Sequence, residues 1–305
     1  MHTLFRWLSG LPLSVLHAIG GVVGWLAWGL SPTYRRRLDA NARQAGLAPE
    51  HRRRAVAEAG RMVMELPRLW LRPPHEPITP PLQWREGAGL IDAALDRGQG
   101  LVLMTPHLGC FEICAQAYAE RFGARAPMTA LYRPSRQPWL REIVERSRAR
   151  PGLLTAPASL AGVRQMIRAL RRGETVGLLP DQVPPEGMGV WAPFFGRPAY
   201  TMTLAARLIR QTGATPLLMF GERLPRGEGF AVHVSALTEP LPEPPRDRAA
   251  DDPDDLVACA SVINRAMERL ILASPGQYLW GYDRYKSPRA TRSAGAAAAT
   301  DRAPG

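Results

Sequence analysis

His107 and Glu112 carry the chemistry that is easiest to read in this chain: an imidazole suited to taking up a proton near neutral pH, and a carboxylate able to fix that ring. They lie in Thr105-Pro106-His107-Leu108-Gly109-Cys110-Phe111-Glu112, between the apolar run Gly100 to Met104 and a helical segment from about Phe111 to Arg121. Were 107 to 112 one helix, the two side chains would stand about 140° apart and could not meet. Pro106 biases Thr105 away from helix and Gly109 permits an unusual backbone angle, so a bend can carry His107 back towards Glu112. The expectation is a dyad in which Glu112 holds one ring nitrogen and the other acts as a general base. The plainer reading is a histidine at a strand end satisfied by backbone. His107, Cys110 and Cys114 also form a His-x2-Cys-x3-Cys cluster, but structural zinc sites are usually built from paired Cys-x2-Cys elements and the only further cysteine is Cys259. The cysteines therefore read as small core side chains, and no metal is expected.

Other candidates also follow apolar runs. Arg133, in Tyr132-Arg133-Pro134, has the forked donors that hold a phosphate or carboxylate. Asp181 and Gln182, in Leu179-Pro180-Asp181-Gln182, sit where open α/β sheets bind ligands. Gly189 to Arg197, with Phe194 and Phe195, is aromatic but broken by Pro and Gly, a composition that can line a greasy slot. Each has an ordinary alternative: a surface ion pair, a turn, core packing.

The elements that would position these residues alternate. Strands are expected over Gly100 to Met104, Met128 to Tyr132, Thr175 to Leu179, Thr215 to Phe220 and Phe230 to Val234, with helices at 111–121, 138–148, 160–170 and 203–211. Asp252 can cap a further helix with Pro253 in its first turn and Leu256, Ala260, Ile263, Met267 and Leu270 as its buried stripe. The pattern predicts an α/β fold, a central mixed sheet flanked by helices. Residues 239–251 read as an exposed loop, and the tail from about Thr291 as disordered.

At the front, Trp7 to Leu30 is an uncharged run of 24 residues. As one helix it would span about 36 Å, against roughly 30 Å of hydrocarbon. Trp7, Trp25 and Trp28 lie towards its ends, and Arg35-Arg36-Arg37 follow, which marks the cytoplasmic side. A retained membrane anchor is expected; because Pro12 and Gly20-Gly21 weaken the run, a helix lying in the interface or a short re-entrant hairpin stays open. Gly20-x-x-x-Gly24 permits close helix contact. A helix is expected from Pro49 to Arg72, with Arg52 to Arg54 near its start as a solvated face or a contact for anionic lipid.

The chain has 305 residues and a formal net charge of +12. Residues 1–61 carry nine arginines against Asp39, Glu50 and Glu58, so the basic surplus gathers beside the apolar run. No nucleic-acid motif accompanies it, and no nucleic-acid partner is expected. Three cysteines make no disulfide framework and fit a reducing compartment. The division predicted is an anchor over 1–34, a catalytic domain over 35–290 and a disordered tail over 291–305.

Taken in order, the apolar anchor, His107-x4-Glu112, Tyr132-Arg133-Pro134, Pro180-Asp181-Gln182, Phe194-Phe195-Gly196, Gln277-Tyr278-Leu279-Trp280 and Asp283-Arg284-Tyr285-Lys286 resemble the lipid A biosynthesis acyltransferases, the lauroyl and myristoyl transferase family. The resemblance implies a domain related to the glycerolipid acyltransferases, with His107 and Glu112 as catalytic residues; Arg133, Asp181, Gln182 and Phe195, from their own placement, are the candidates for holding substrate. It also implies an acyl carrier protein thioester as donor and a hydroxyl of a lipid A precursor as acceptor. The arginines beside the apolar run, Arg35 to Arg37 and Arg52 to Arg54, lead to the expectation of a cytoplasmic catalytic domain in contact with inner-membrane lipids, and direct acyl transfer requires no cofactor. The chain departs from many members after the final tryptophan, where Gly281-Tyr282-Asp283 replaces a histidine and arginine. Branches acting on mannosylated or amino-acid lipids share much of this frame, and a membrane-tethered protein that binds anionic ligands without chemistry is the alternative of a different class.

Overall fold

The computed structural model describes residues 2–80, 82–132, 137–243 and 252–289. Arg133, the end of the 239–251 loop and the tail from Thr291 lie outside them.

Helices α1 (His2–Ser9), α2 (Leu13–Leu30), α3 (Pro32–Gln44) and α4 (Pro49–Leu71) come first. The apolar run is thus two helices, not one: the chain turns at Gly10 to Pro12, and Pro12 stands at the head of α2 with extended backbone. Proline there lacks the N–H that would continue α1, and a new helix can start after it. Ser31 caps α3 through a hydrogen bond from the Tyr34 N–H, with Pro32 in the first turn.

The domain continues with β1 (Gln83–Trp84), α5 (Ala88–Asp96), β2 (Leu101–Met104), α6 (Phe111–Phe122), β3 (Met128–Tyr132), α7 (Pro138–Arg148), β4 (Leu153–Pro157), α8 (Leu160–Arg171) and β5 (Thr175–Leu178). A hairpin follows, β6 (Gly189–Phe194) with β7 (Arg197–Met202), then α9 (Leu204–Thr212), β8 (Thr215–Arg223), β9 (Phe230–Ala236) and α10 (Pro253–Ala273). Asp252 caps α10 by accepting from the Asp254 N–H, as the sequence predicts. Seven strands make one mixed sheet in the order β1-β9-β8-β2-β5-β3-β4. Of the strand pairs, only β8 with β9 is antiparallel in this sheet.

Strand β2 sits at the centre, between β5 and β8, and all four of its residues are buried. Its side chains alternate between two cores: Leu101 and Leu103 pack with α5 and α6, whereas Val102 and Met104 pack with α8, α9 and α10. A strand covered on both faces has no polar side to show, which is why this one reads as a continuous apolar run. The carboxyl ends of β2 and β5 therefore open side by side, with Met104 in register with Leu178.

Helix α2 is not a detached tether. It lies along α4, and the contact is backbone to backbone: a Cβ at Gly60 would stand 1.9 Å from the Gly20 carbonyl oxygen, and one at Gly24 would stand 2.2 Å from the Val56 oxygen. The Gly20-x-x-x-Gly24 motif thus serves packing within the chain.

Candidate active site

The register of β2 and β5 decides the site. His107 is the third residue beyond Met104 and Asp181 the third beyond Leu178, so two parallel neighbours deliver them to the same place. The Asp181 carboxylate accepts the His107 backbone N–H through Oδ2 at 2.9 Å and meets ring Nδ1 through Oδ1 at 2.8 Å. Tyr278 donates its hydroxyl to Asp181 Oδ2 at 3.2 Å. Asp181 is 1% exposed. Burial alone would raise its pKa, but the charge of His107, the two hydrogen bonds from that residue and the charge of Arg284 together hold it below the usual carboxylate value. An ionised Asp181 takes the Nδ1 proton as acceptor, and Nε2 is left with its lone pair. Gln182 Nε2 stands 3.0 Å from that atom, so its amide N–H donates there. The imidazole side chain is 16% exposed, and Phe111 packs on it with ring centroids 4.6 Å apart.

The carboxylate bonded to the imidazole is thus Asp181, whereas Glu112 makes its contacts with other residues. Glu112 is the second residue of α6, and its half-buried side chain accepts from Trp70 Nε1 at 3.2 Å and pairs with Arg148 at 3.5 Å. Gly109 does take a positive φ, +57°, as expected, but the bend presses the loop onto β8. A Cβ at Gly109 would stand 2.0 Å from the Gly221 carbonyl oxygen. Cys110 N–H donates to that oxygen, and Gly109 N–H donates to the Gln277 carbonyl. The turn is held by backbone bonds, which leave the helix free to aim Glu112 elsewhere.

Residues with no role in the sequence reading complete the support. Leu279 N–H donates to the His107 carbonyl, and Leu108 bridges Tyr278, so the 277–280 segment clamps the loop along its length. Arg223, at the end of β8, donates to the Gly109 carbonyl at 3.2 Å and to Glu65 and Glu58 at 2.6 to 2.7 Å, all three side chains being buried. His17 of α2 adds its Nε2 to Glu65 at 3.2 Å. Arg284 is buried, with donors on the Tyr200 carbonyl and Thr201 Oγ1. The Gln-Tyr-x-Trp motif was the signal for Gln277 and Tyr278; nothing in the sequence marks Arg223, whose partners lie 158 and 165 residues away.

Phe195 lies in the turn between β6 and β7. It turns the β6–β7 hairpin at φ +46° followed by Gly196 at +72°, donates its N–H to Glu268, and packs edge-on against Phe194 and at a tilt against Trp280. Trp280 in turn packs on Tyr278, so Phe195 backs Asp181 through two rings. Cys110, Cys114 and Cys259 are free and buried. Burial pushes the Cys110 thiol well above its ordinary pKa, with the nearby Glu65 charge adding to it, and burial pushes Cys114 up to about 12. An ionised imidazole partner for Cys110 is not at hand, since both ring nitrogens of His107 are engaged elsewhere.

A buried carboxylate gripping one imidazole nitrogen, with only a side-chain amide on the other, is an arrangement for withdrawing a proton from a hydroxyl. The description "Bacterial lipid A biosynthesis acyltransferase" belongs to the family whose profile matches residues 2–287. The lipid A biosynthesis lauroyltransferase of Escherichia coli K12 is 26% identical over 289 residues, covering 91% of this chain and 87% of that one. The palmitoleoyltransferase of the same organism is 25% identical, covering 93% and 89%. A lipid A biosynthesis acyltransferase of Haemophilus influenzae is 26% identical, covering 93% and 88%. By the extent of that match, and by the fold and site that accompany it, this chain belongs to the bacterial lipid A biosynthesis acyltransferases and is an acyltransferase enzyme.

Proposed function

We propose that the protein moves a fatty acyl chain from an acyl carrier protein thioester to a hydroxyl of a lipid A precursor, with His107 as general base. The observation that carries this reading is the His107–Asp181 pair: Nδ1 is fixed as donor to a buried carboxylate, and Nε2 is the basic atom. The acceptor hydroxyl replaces the Gln182 amide at Nε2 and gives up its proton there as its oxygen attacks the thioester carbonyl carbon. The tetrahedral species then expels the carrier's thiolate as the C–S bond breaks, and the imidazolium proton goes to that sulfur. Asp181 stabilises the imidazolium between the two steps. No acyl group passes through Cys110, in keeping with its buried, raised-pKa thiol.

The N–H groups of Leu108, Gly109 and Cys110 already donate to Pro106, Gln277 and Gly221, so they are not the donors awaiting the oxyanion. Arg133, one residue beyond β3, is assigned the acceptor phosphate or the oxyanion. Glu112 acts from the helix that begins beside His107, where it holds Trp70 and Arg148. Gln182 occupies the hydroxyl's place, and Phe195 supports Asp181 from behind. Residues 1–34 are assigned to membrane attachment at the cytoplasmic face of the inner membrane, with the catalytic domain over 35–290.

Incubation of the purified protein with acyl carrier protein thioester and lipid A precursor, read by product mass, is the test. A mass gain equal to one acyl chain, lost in His107→Ala, is expected. Hydrolysis of the thioester without a gain in lipid mass would refute the transfer.

A further inference from the structure

Helix α2 is the one described helix long and apolar enough to cross a membrane, at 18 residues. Its packing bears on whether it does. The face formed by Leu13, Leu16, His17, Gly20 and Gly24 is buried. The opposite stripe, Val15, Val22, Leu26 and Leu30, recurs at i, i+7, i+11 and i+15 and is open, with Val22 61%, Leu26 56% and Leu30 82% exposed. Trp7 of α1 and Trp25 add exposed aromatic surface. A helix with one apolar face packed on protein and another facing outward has no side meant for water.

The partner helix fixes how that face can meet lipid. Leu13 shares a small core with Leu69, and Gly24 meets Val56, so α4 runs alongside nearly the whole of α2. Any bilayer that α2 crossed would also take in α4, with Arg54, Glu58, Arg61, Glu65 and Arg68. It would take in Arg223 as well, and with it the catalytic loop joined through the Gly109 carbonyl. Ionisable groups at that depth are costly and a loop carrying an active site has no reason to be there. A helix lying along the surface requires none of this.

We infer that α1 and α2 seat the enzyme on one leaflet as an interfacial wedge, with the Val15, Val22, Leu26 and Leu30 stripe among the acyl chains and arginines on the headgroups. The occupant of this face is an anionic bilayer surface. A groove of about 470 Å³ between Gly21, Val22, Trp25, Leu26 and Ala57 is also lined by Arg61, whose guanidinium pairs with Glu58 at 2.6 Å. Arg35 lies over the Trp28 ring at 5.2 Å, and Arg36 is exposed just beyond the end of α2, next to Arg37, which pairs with Asp283 at 2.9 Å. An apolar stripe rimmed by guanidinium groups matches headgroup phosphate above and hydrocarbon below. This rests on the membrane attachment proposed above but not on the role of His107.

Two measurements on the full-length protein decide it. Thr3→Cys, before the stripe, and Leu160→Cys, on the exposed start of α8, are labelled separately with an impermeant maleimide in sealed inner-membrane vesicles of each orientation. Both sites should react from the same side; reaction from opposite sides would mean that α2 crosses and would overturn the inference. The double variant Val22→Glu/Leu26→Glu should bind vesicles of equimolar phosphatidylglycerol and phosphatidylcholine at least tenfold more weakly. Its Tm and its activity on detergent-dispersed substrate should be unchanged. Undiminished vesicle binding would equally refute the wedge. Loss of turnover on dispersed substrate in the wild type would count against the catalytic reading alone.

Discussion

Asp181 grips His107 twice, at ring Nδ1 through one carboxylate oxygen and at the backbone N–H through the other. The second bond fixes where the residue is and the first fixes how its ring is turned, so the carboxylate sets position and tautomer together. Tyr278 steadies the same carboxylate from the far side, and burial pushes its own phenol well above the ordinary range, with the Asp181 charge adding to it; Tyr278 stays a hydrogen-bond donor.

Gln182→Glu would put a second carboxylate on the imidazole, at Nε2. The charged ring is then favoured, and the free base exists only at higher pH. The acid limb of the kcat/KM profile should move upward by about one unit or more. An unmoved limb would mean that Gln182 does not face the basic nitrogen in solution.

Cys110→Ala should turn over on the order of the wild-type rate, because the thiol is buried, hard to ionise and outside the path of the acyl group. Abolished turnover, together with a wild-type acyl-enzyme seen by mass spectrometry and missing from this variant, would make the sulfur the nucleophile.

Arg223→Met removes the cation between Glu58 and Glu65 and should cost about 3–5 kcal/mol of stability, read from denaturant unfolding. The pH dependence follows from Glu65. Burial alone would raise its pKa, but Arg223 and His17 lower it below the ordinary value of 4.5. A carboxyl whose folded pKa lies below its unfolded one binds fewer protons when folded. Its stabilisation is therefore present above the unfolded pKa and is lost as pH falls through the folded value. Wild-type Tm should drop in that acid range, and Arg223→Met should flatten the drop; an unchanged acid slope would remove the cluster from the account.

Most of the sheet was legible in the sequence because its central strands are covered on both faces: Leu101 to Met104 and Thr175 to Leu178 stand out as apolar runs with no alternation to confuse them. The His107 loop was legible too, from Pro106 and Gly109. Its partner was not. Asp181 lies 74 residues away, and only the order β2-β5 makes the two strand ends neighbours, a fact no local pattern carries. Glu112 was nearer in sequence and could be bent into reach on paper, but the first turn of α6 points it to Trp70. The aromatic run 189–197 does not announce in sequence that it forms a strand pair, because Phe195 with Gly196 makes the tight turn where only Gly196 is an obvious turn residue. The break at Pro12 was foreshadowed by the residue itself, whereas the burial of α2 on α4 depends on Gly60, which no spacing links to Gly20.

Gly60→Val should separate α2 from α4, since a side chain there has no room against Gly20 and Gly24. A loss of about 1–3 kcal/mol is expected from overpacking, measured by thermal unfolding of the full chain. A variant as stable as wild type would mean that the two helices are not in contact.

The role of Asp181 is tested most directly by a double-mutant cycle on kcat, with each variant first matched to wild type for folding. Asp181→Asn should lower kcat by about 10²-fold or more, since it disturbs the tautomer of the base. In a His107→Ala background the same change should cost almost nothing further, because there is no ring left to orient. Glu112→Gln, which acts on Trp70 and Arg148 instead, should keep its own factor in both backgrounds. If Asp181→Asn loses as much without His107 as with it, while the loss from Glu112→Gln vanishes there, the imidazole is governed by Glu112 and the His107–Asp181 pairing is not the catalytic one.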